Sequence, residues 1–201
     1  MPDPNKSGAK RWFPQSDDPS CNCQDLRLLK RLAKESSYEE EFYKPPWKTT
    51  AKEVCRDPLG MESGAIPTIS LSVSQAGRVG YGKERSRLNI NGAWCPDPIN
   101  TNQWIRVDLG NKITVSGLIT QGRHFSNVWT KSYRVQYSAD GVNWNYITAS
   151  GGPKVFQGNT DNESQVTVLF PEPLQTRYVQ IEPQSWQRYI CIRFELLGCR
   201  A

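Results

Sequence analysis

A chain with one histidine has few routes to acid–base or nucleophilic chemistry, and here that residue is His124. A Ser-His-Asp or Cys-His arrangement would have to recruit it, yet Arg123-His-Phe-Ser-Asn-Val128 reads as an exposed loop. No serine or cysteine stands in a nucleophile-elbow context. Asp97 and Asp108 are the carboxylates to weigh as a pair, but nothing sets them opposed across a cleft. Asp97 belongs to a turn and Asp108 to a strand face. The inventory points away from an enzyme.

The six cysteines offer different chemistry. They stand at 21, 23, 55, 95, 191 and 199, with no CxxC pair and no second histidine, so neither a metal site nor a cofactor is expected. An even count, with glycan-acceptor triplets at Asn5 and Asn162, fits a secreted, disulfide-bonded protein. Cys21 and Cys23 are too near in sequence to pair without strain, so each is expected to reach elsewhere. No apolar run is long enough to span a bilayer, and the first residues lack the apolar core of a signal peptide. A secreted form would therefore have lost its signal before Met1. The net charge of +5 is dispersed, without a basic stripe or reading motif, which excludes nucleic acid as the expected partner.

The elements that must position these residues fall into two parts. Residues 1–54 open with a proline-rich tail and continue into a short helix from Asp25, with Leu28, Leu29, Leu32 and Ala33 as its apolar stripe. Pro45-Pro46 ends it. A helix this short needs a partner surface, which makes the segment a candidate for oligomerisation. Residues 55–201 carry β patterns: Trp104–Leu109, Ile113–Thr120, Tyr133–Tyr137, a turn at Asp140-Gly141 followed by Trp144 and Tyr146, and Val166–Phe170 up to Pro171 and Pro173. Val179 and Ile181 lead to a closing strand, Tyr189–Cys199. In it Ile190, Ile192, Phe194 and Leu196 form an inward face, alternating with Cys191, Arg193, Glu195 and Leu197. Seven tryptophans and eight tyrosines supply a core, and packing is the expected role of Trp94, Trp104, Trp129, Trp144 and Trp186.

Six motifs, in this order, carry a resemblance. They are Cys55-Arg-Asp-Pro-Leu-Gly-Met-Glu-Ser-Gly64, Asn91-Gly-Ala-Trp-Cys95, Trp104-Ile-Arg-Val-Asp-Leu-Gly110, Thr120-Gln-Gly-Arg123, Tyr133-Arg-Val-Gln-Tyr-Ser138 and Phe156-Gln-Gly-Asn159. With the ending Arg177 to Cys199, they resemble the discoidin domains found as C domains of coagulation cofactors. The resemblance implies an all-β, distorted jelly-roll barrel of galactose-binding-like type. It also implies disulfides Cys55–Cys199 and Cys95–Cys191. Cysteines ahead of a single discoidin domain resemble the retinoschisin type of layout, which implies that Cys21 and Cys23 link subunits of a homo-oligomer.

The same resemblance places ligand-binding residues on loops at one end of the barrel, here Ser74–Gly82, Arg123–Val128 and a third near Lys154–Asp161. Arg78, Val79 and Tyr81 then stand at the first tip and Phe125 at the second. An apolar tip flanked by basic residues suits insertion into an anionic phospholipid interface. Arg78, Tyr81, Arg123, His124, Asn127 and Asn159 offer the donors and acceptors that a cell-surface glycan needs. An extracellular matrix protein is a further class of partner. Collagen is disfavoured, because Ala76 stands where collagen-binding members carry tryptophan. The expectation is a secreted, non-enzymatic binding and adhesion protein, with a disulfide-linked structural adhesion oligomer as the alternative.

Overall fold

The computed structural model describes residues 55–77 and 79–199. The tail, the 25–43 helix, Asn5, Cys21, Cys23 and Arg78 lie outside the described residues. Ten strands follow in order: β1 Asp57–Pro58, β2 Leu71–Val73, β3 Ile105–Gln121, β4 Trp129–Ser138, β5 Asn145–Tyr146, β6 Thr148–Ala149, β7 Gly152–Pro153, β8 Val155–Gln157, β9 Val166–Gln187 and β10 Arg193–Cys199. Among the described residues the only helical pieces are single 3₁₀ turns at Thr68–Ser70 and Lys83–Arg85.

The main antiparallel sheet runs β1-β10-β3-β9-β4-β5, with β2 added to β3 and β8 added to β4. Alternation in β3, β4 and β9 turns Ile105, Val107, Tyr133, Val135, Val179 and Ile181 inward to meet Trp94, Phe156, Phe194 and Leu196. Each fully buried large apolar side chain contributes about 1.5–3 kcal/mol over an exposed one. The outward residues of the same strands form a polar face. Both disulfides are formed, Cys55–Cys199 and Cys95–Cys191.

Three local expectations change. The two strands expected at Trp104–Leu109 and Ile113–Thr120 are one strand, β3, starting at Ile105 and joined through a bulge between Asp108 and Ile113. Gly110, at φ 77°, supplies the left-handed backbone of that bulge, which glycine adopts without strain. Pro171 and Pro173 do not end β9. The register jumps from Leu169, opposite Gly117, to Leu174, opposite Val115, so the prolines fall where no ladder donor is required. Finally, the closing strand is buried on both faces from Ile190 through Gly198, where alternation suggested one. Arg193 and Glu195 are each 1% exposed.

Buried charges must be compensated. Glu195 accepts the N–H groups of Gly60 (3.1 Å), Met61 (2.9 Å) and Glu62 (2.8 Å), together with that of Leu196 (2.9 Å). Arg193 donates to Gly122 O (2.6 Å), Ile90 O (2.9 Å), Asn162 O (2.9 Å) and Glu163 Oε2 (3.0 Å). One strand thus fastens segments on either side of it through two opposite charges.

Candidate functional site

The first loop, residues 74–82, rises from a braced base. Ser74 and Trp104 exchange two hydrogen bonds, Ser74 N to Trp104 O (3.0 Å) and Trp104 N to Ser74 Oγ (2.9 Å). The indole N–H of buried Trp94 donates to Gln75 O (3.0 Å), and Cys95 N donates to Tyr81 O (3.0 Å). Gly77, at φ 80°, is required there. A Cβ would lie 2.5 Å from Cys95 O and 2.7 Å from Tyr81 O. Val79, at the tip, is 101% exposed.

The second loop, 123–128, is closed by Arg123 N to Val128 O (3.0 Å). Beneath it Val128 packs with Ala93, Cys191 and Cys95 in a small apolar cluster. Phe125 is 88% exposed and takes a left-handed backbone (φ 50°), a conformation that costs a bulky residue on the order of 1–3 kcal/mol. The structure holds it there through Glu163, whose Oε1 accepts the Phe125 N–H (2.9 Å) and lies 2.7 Å from His124 Nδ1. Glu163 Oε2 in turn meets buried Arg193 (3.0 Å).

The loops are joined directly. Arg123 Nη2 donates to the Tyr81 hydroxyl (2.8 Å), and the guanidinium lies 4.4 Å from the Tyr81 ring centroid. Behind them lies a cleft of about 260 Å³ walled by Tyr81, Arg123, Asp97, Ile99, Tyr189 and the Cys95–Cys191 bridge. The site therefore has two projecting apolar tips and a polar–aromatic cleft. Among the described residues, no three His, Cys, Asp or Glu side chains gather to hold a metal ion.

The sequence-derived residues separate on this geometry. Tyr81 and Arg123 come together beside His124 and Phe125, and Val79 and Asn127 are exposed on the first and second loops. Asn159 does not join them. It is buried and gives its amide to Thr120 O (3.1 Å) and Ser164 O (2.7 Å), because the third stretch runs as β8 and then turns inward. Asn162, the expected glycan acceptor, is half-buried, donates to Glu163 Oε1 (3.1 Å) and offers its carbonyl to Arg193. Glu163 is the supporting residue of the second loop that sequence reasoning missed. It reads as one more polar residue in a turn, and the signal that singles it out, Arg193, lies thirty residues away.

Burial raises the pKa of Glu163, whereas the Phe125 N–H, His124 and Arg193 lower it, and the balance brings it from 4.5 to about 2. A carboxyl depressed in the folded state stabilises that state fully above its unfolded pKa. The contribution is lost as pH falls through the folded value, here between about 4.5 and about 2. Glu163→Gln is accordingly expected to lower Tm near neutral pH, with the gap to the parent closing as pH approaches about 2.5. Thermal melts across that range check it, and a gap that stays constant would refute the role.

The F5/8 type C domain model matches residues 70–196. Lactadherin from Mus musculus is 38% identical over 156 residues, covering 72% of this chain and 34% of the relative. Neuropilin-1 from Gallus gallus is 40% identical over 151 residues, covering 73% of this chain and 16% of the relative. The chain thus spans about a third or less of the length of these relatives. Among solved structures, discoidin II of Dictyostelium discoideum superposes with a TM-score of 0.60 at 26% identity, covering 65% of this chain and 55% of that one. With the model match over residues 70–196 and relatives at 38–40% identity, the chain belongs to the F5/8 type C, or discoidin, domain family.

Proposed function

We propose that this chain is a secreted, non-enzymatic binding module that engages an anionic phospholipid surface through Val79 and Phe125. The observation that carries the reading is their exposure, 101% and 88%, on two loops cross-braced by the Arg123–Tyr81 hydrogen bond. Water gains nothing from two apolar side chains held outward, one of them on a strained backbone, whereas a bilayer interface does. Inserted, the pair contributes on the order of 3–5 kcal/mol. Arg123, behind the tips, suits the phosphate and carboxylate groups at the interface.

The test is sedimentation with vesicles of phosphatidylcholine with or without phosphatidylserine. Val79→Ser with Phe125→Ser is expected to weaken binding to the anionic vesicles by about 100-fold or more. Retained binding by the double variant would overturn insertion. A second reading rests on the cleft, whose size and lining by Tyr81, Tyr189, Arg123 and Asp97 suit one or two sugar rings. Presentation as a disulfide-linked oligomer through Cys21 and Cys23 would raise the avidity of either weak site. Migration at monomer mass in non-reducing electrophoresis would count against that assembly.

A further inference from the structure

The outer face of the sheet carries a second arrangement that the loop reading leaves unused. Because Ile105 and Val107 of β3, Tyr133 and Val135 of β4, and Val179 and Ile181 of β9 face the core, Arg106, Gln136, Gln180, Glu182 and Arg134 stand on the opposite side. Arg106 lies between two half-buried indoles, 4.6 Å from the centroid of Trp104 and 4.1 Å from that of Trp144. Its Nε and Nη2 both donate to Gln180 Oε1 (3.2 and 2.9 Å). Gln180 Nε2 donates to Glu182 Oε1 (2.9 Å), and the Tyr146 hydroxyl donates to Glu182 Oε2 (3.0 Å). The result is a fixed lattice of planar groups that holds the Trp104 ring in one orientation.

Beside it runs a groove of about 360 Å³ lined by Trp104, Arg134, Tyr146, Glu182, Gln184 and Asn102. Its charges are unequal. Glu182 already has a partner on each oxygen, whereas Arg134 has no carboxylate within ion-pair distance among the described residues. The Arg134 Nε is also buried without a hydrogen-bond partner. A guanidinium left in this way favours a planar anion. An oriented indole favours the apolar face of a pyranose ring, and the polar lining disfavours a lipid chain.

We propose that this groove is a second binding site, for a glycan bearing carboxylate or sulfate groups. Trp104 is its platform and Arg134 the partner of its anionic group. The site shares no lining residue with the loop cleft and does not depend on the membrane reading.

The test uses the full, oxidised chain on an array of sialylated, uronic-acid-containing and sulfated oligosaccharides, with their neutral counterparts as controls. Hits are then titrated by calorimetry. Acidic oligosaccharides are expected to bind more tightly than the neutral ones. Trp104→Ala and Arg134→Gln should each weaken that binding by about tenfold or more, with the far-ultraviolet dichroism unchanged. Val79→Ser with Phe125→Ser should leave it intact, which separates this site from the loop end. Three results would overturn the proposal: no acidic spot sensitive to Trp104→Ala or Arg134→Gln, equal binding of neutral and acidic sugars, or binding abolished by the loop double variant.

Discussion

Replacing Arg193 with alanine is expected to lower the thermal midpoint by about 10 °C, the largest effect of any single side chain in the domain. The guanidinium is 1% exposed and four of its five N–H donors are engaged locally, on Gly122, Ile90, Asn162 and Glu163. Alanine would leave three carbonyls and Glu163 Oε2 without this donor, Gly122 O at a buried position. Losing one partner of such a buried charged network costs about 3–5 kcal/mol. In a domain of this size each kcal/mol moves the midpoint by about 2–4 °C. Arg193→Lys should recover only part, since an ammonium cannot reproduce a planar fork of three directions. A midpoint within about 2 °C of the parent for Arg193→Ala would sink the argument.

The second large effect belongs to the Cys55–Cys199 bridge. It closes 144 residues, and in the chain-entropy model a loop of that length stabilises by about 5 kcal/mol. Its removal also frees β1, a two-residue strand paired with β10 at Asp57↔Gly198 and Pro58↔Leu197. Cys55→Ser with Cys199→Ser is therefore expected to shift the urea midpoint downward by the equivalent of about 3–5 kcal/mol. The Glu195 anchorage of Gly60–Glu62 should survive in the folded state of that variant and limit fraying to residues before Leu59. Hydrogen exchange at Gly60 and Met61 checks this, and loss of protection there at low urea would show that the bridge, not Glu195, holds the segment.

How far these features could be read from the residues depends on what alternation encodes. Period two identified the inward face of β10 and the strands that meet it, and the motif order gave both cysteine pairs. Alternation says only that neighbouring side chains point in opposite directions. It does not say whether the second face is open to water. Arg193 and Glu195 therefore read as solvent-facing charges, although loops from residues 60–62, 90, 122 and 162–163 close over them. The same blindness hid Glu163. Asn159 failed for the opposite reason: a polar residue in a presumed loop looked available, and the inward turn after β8 consumed its amide. Pro171 and Pro173 misled because a proline ends a strand only where a ladder donor is needed, and the register jump at Leu169–Leu174 removes that need. Tips are the legible part of such a site, and their supports are not.

The position of β10 also bears on how the domain comes into being. It is the last of the strands to be synthesised, yet it lies between β1 and β3 rather than at a margin. Until residues 193–199 leave the ribosome, the flank of β3 from Thr114 to Gln121 has an unpaired row of backbone groups, and Gly60–Glu62 have no carboxylate to turn around. Nascent chains must therefore wait, with a long apolar flank open, for a segment seven residues long. Such sequence-distant closure makes folding slow and leaves that flank exposed to association until it is covered.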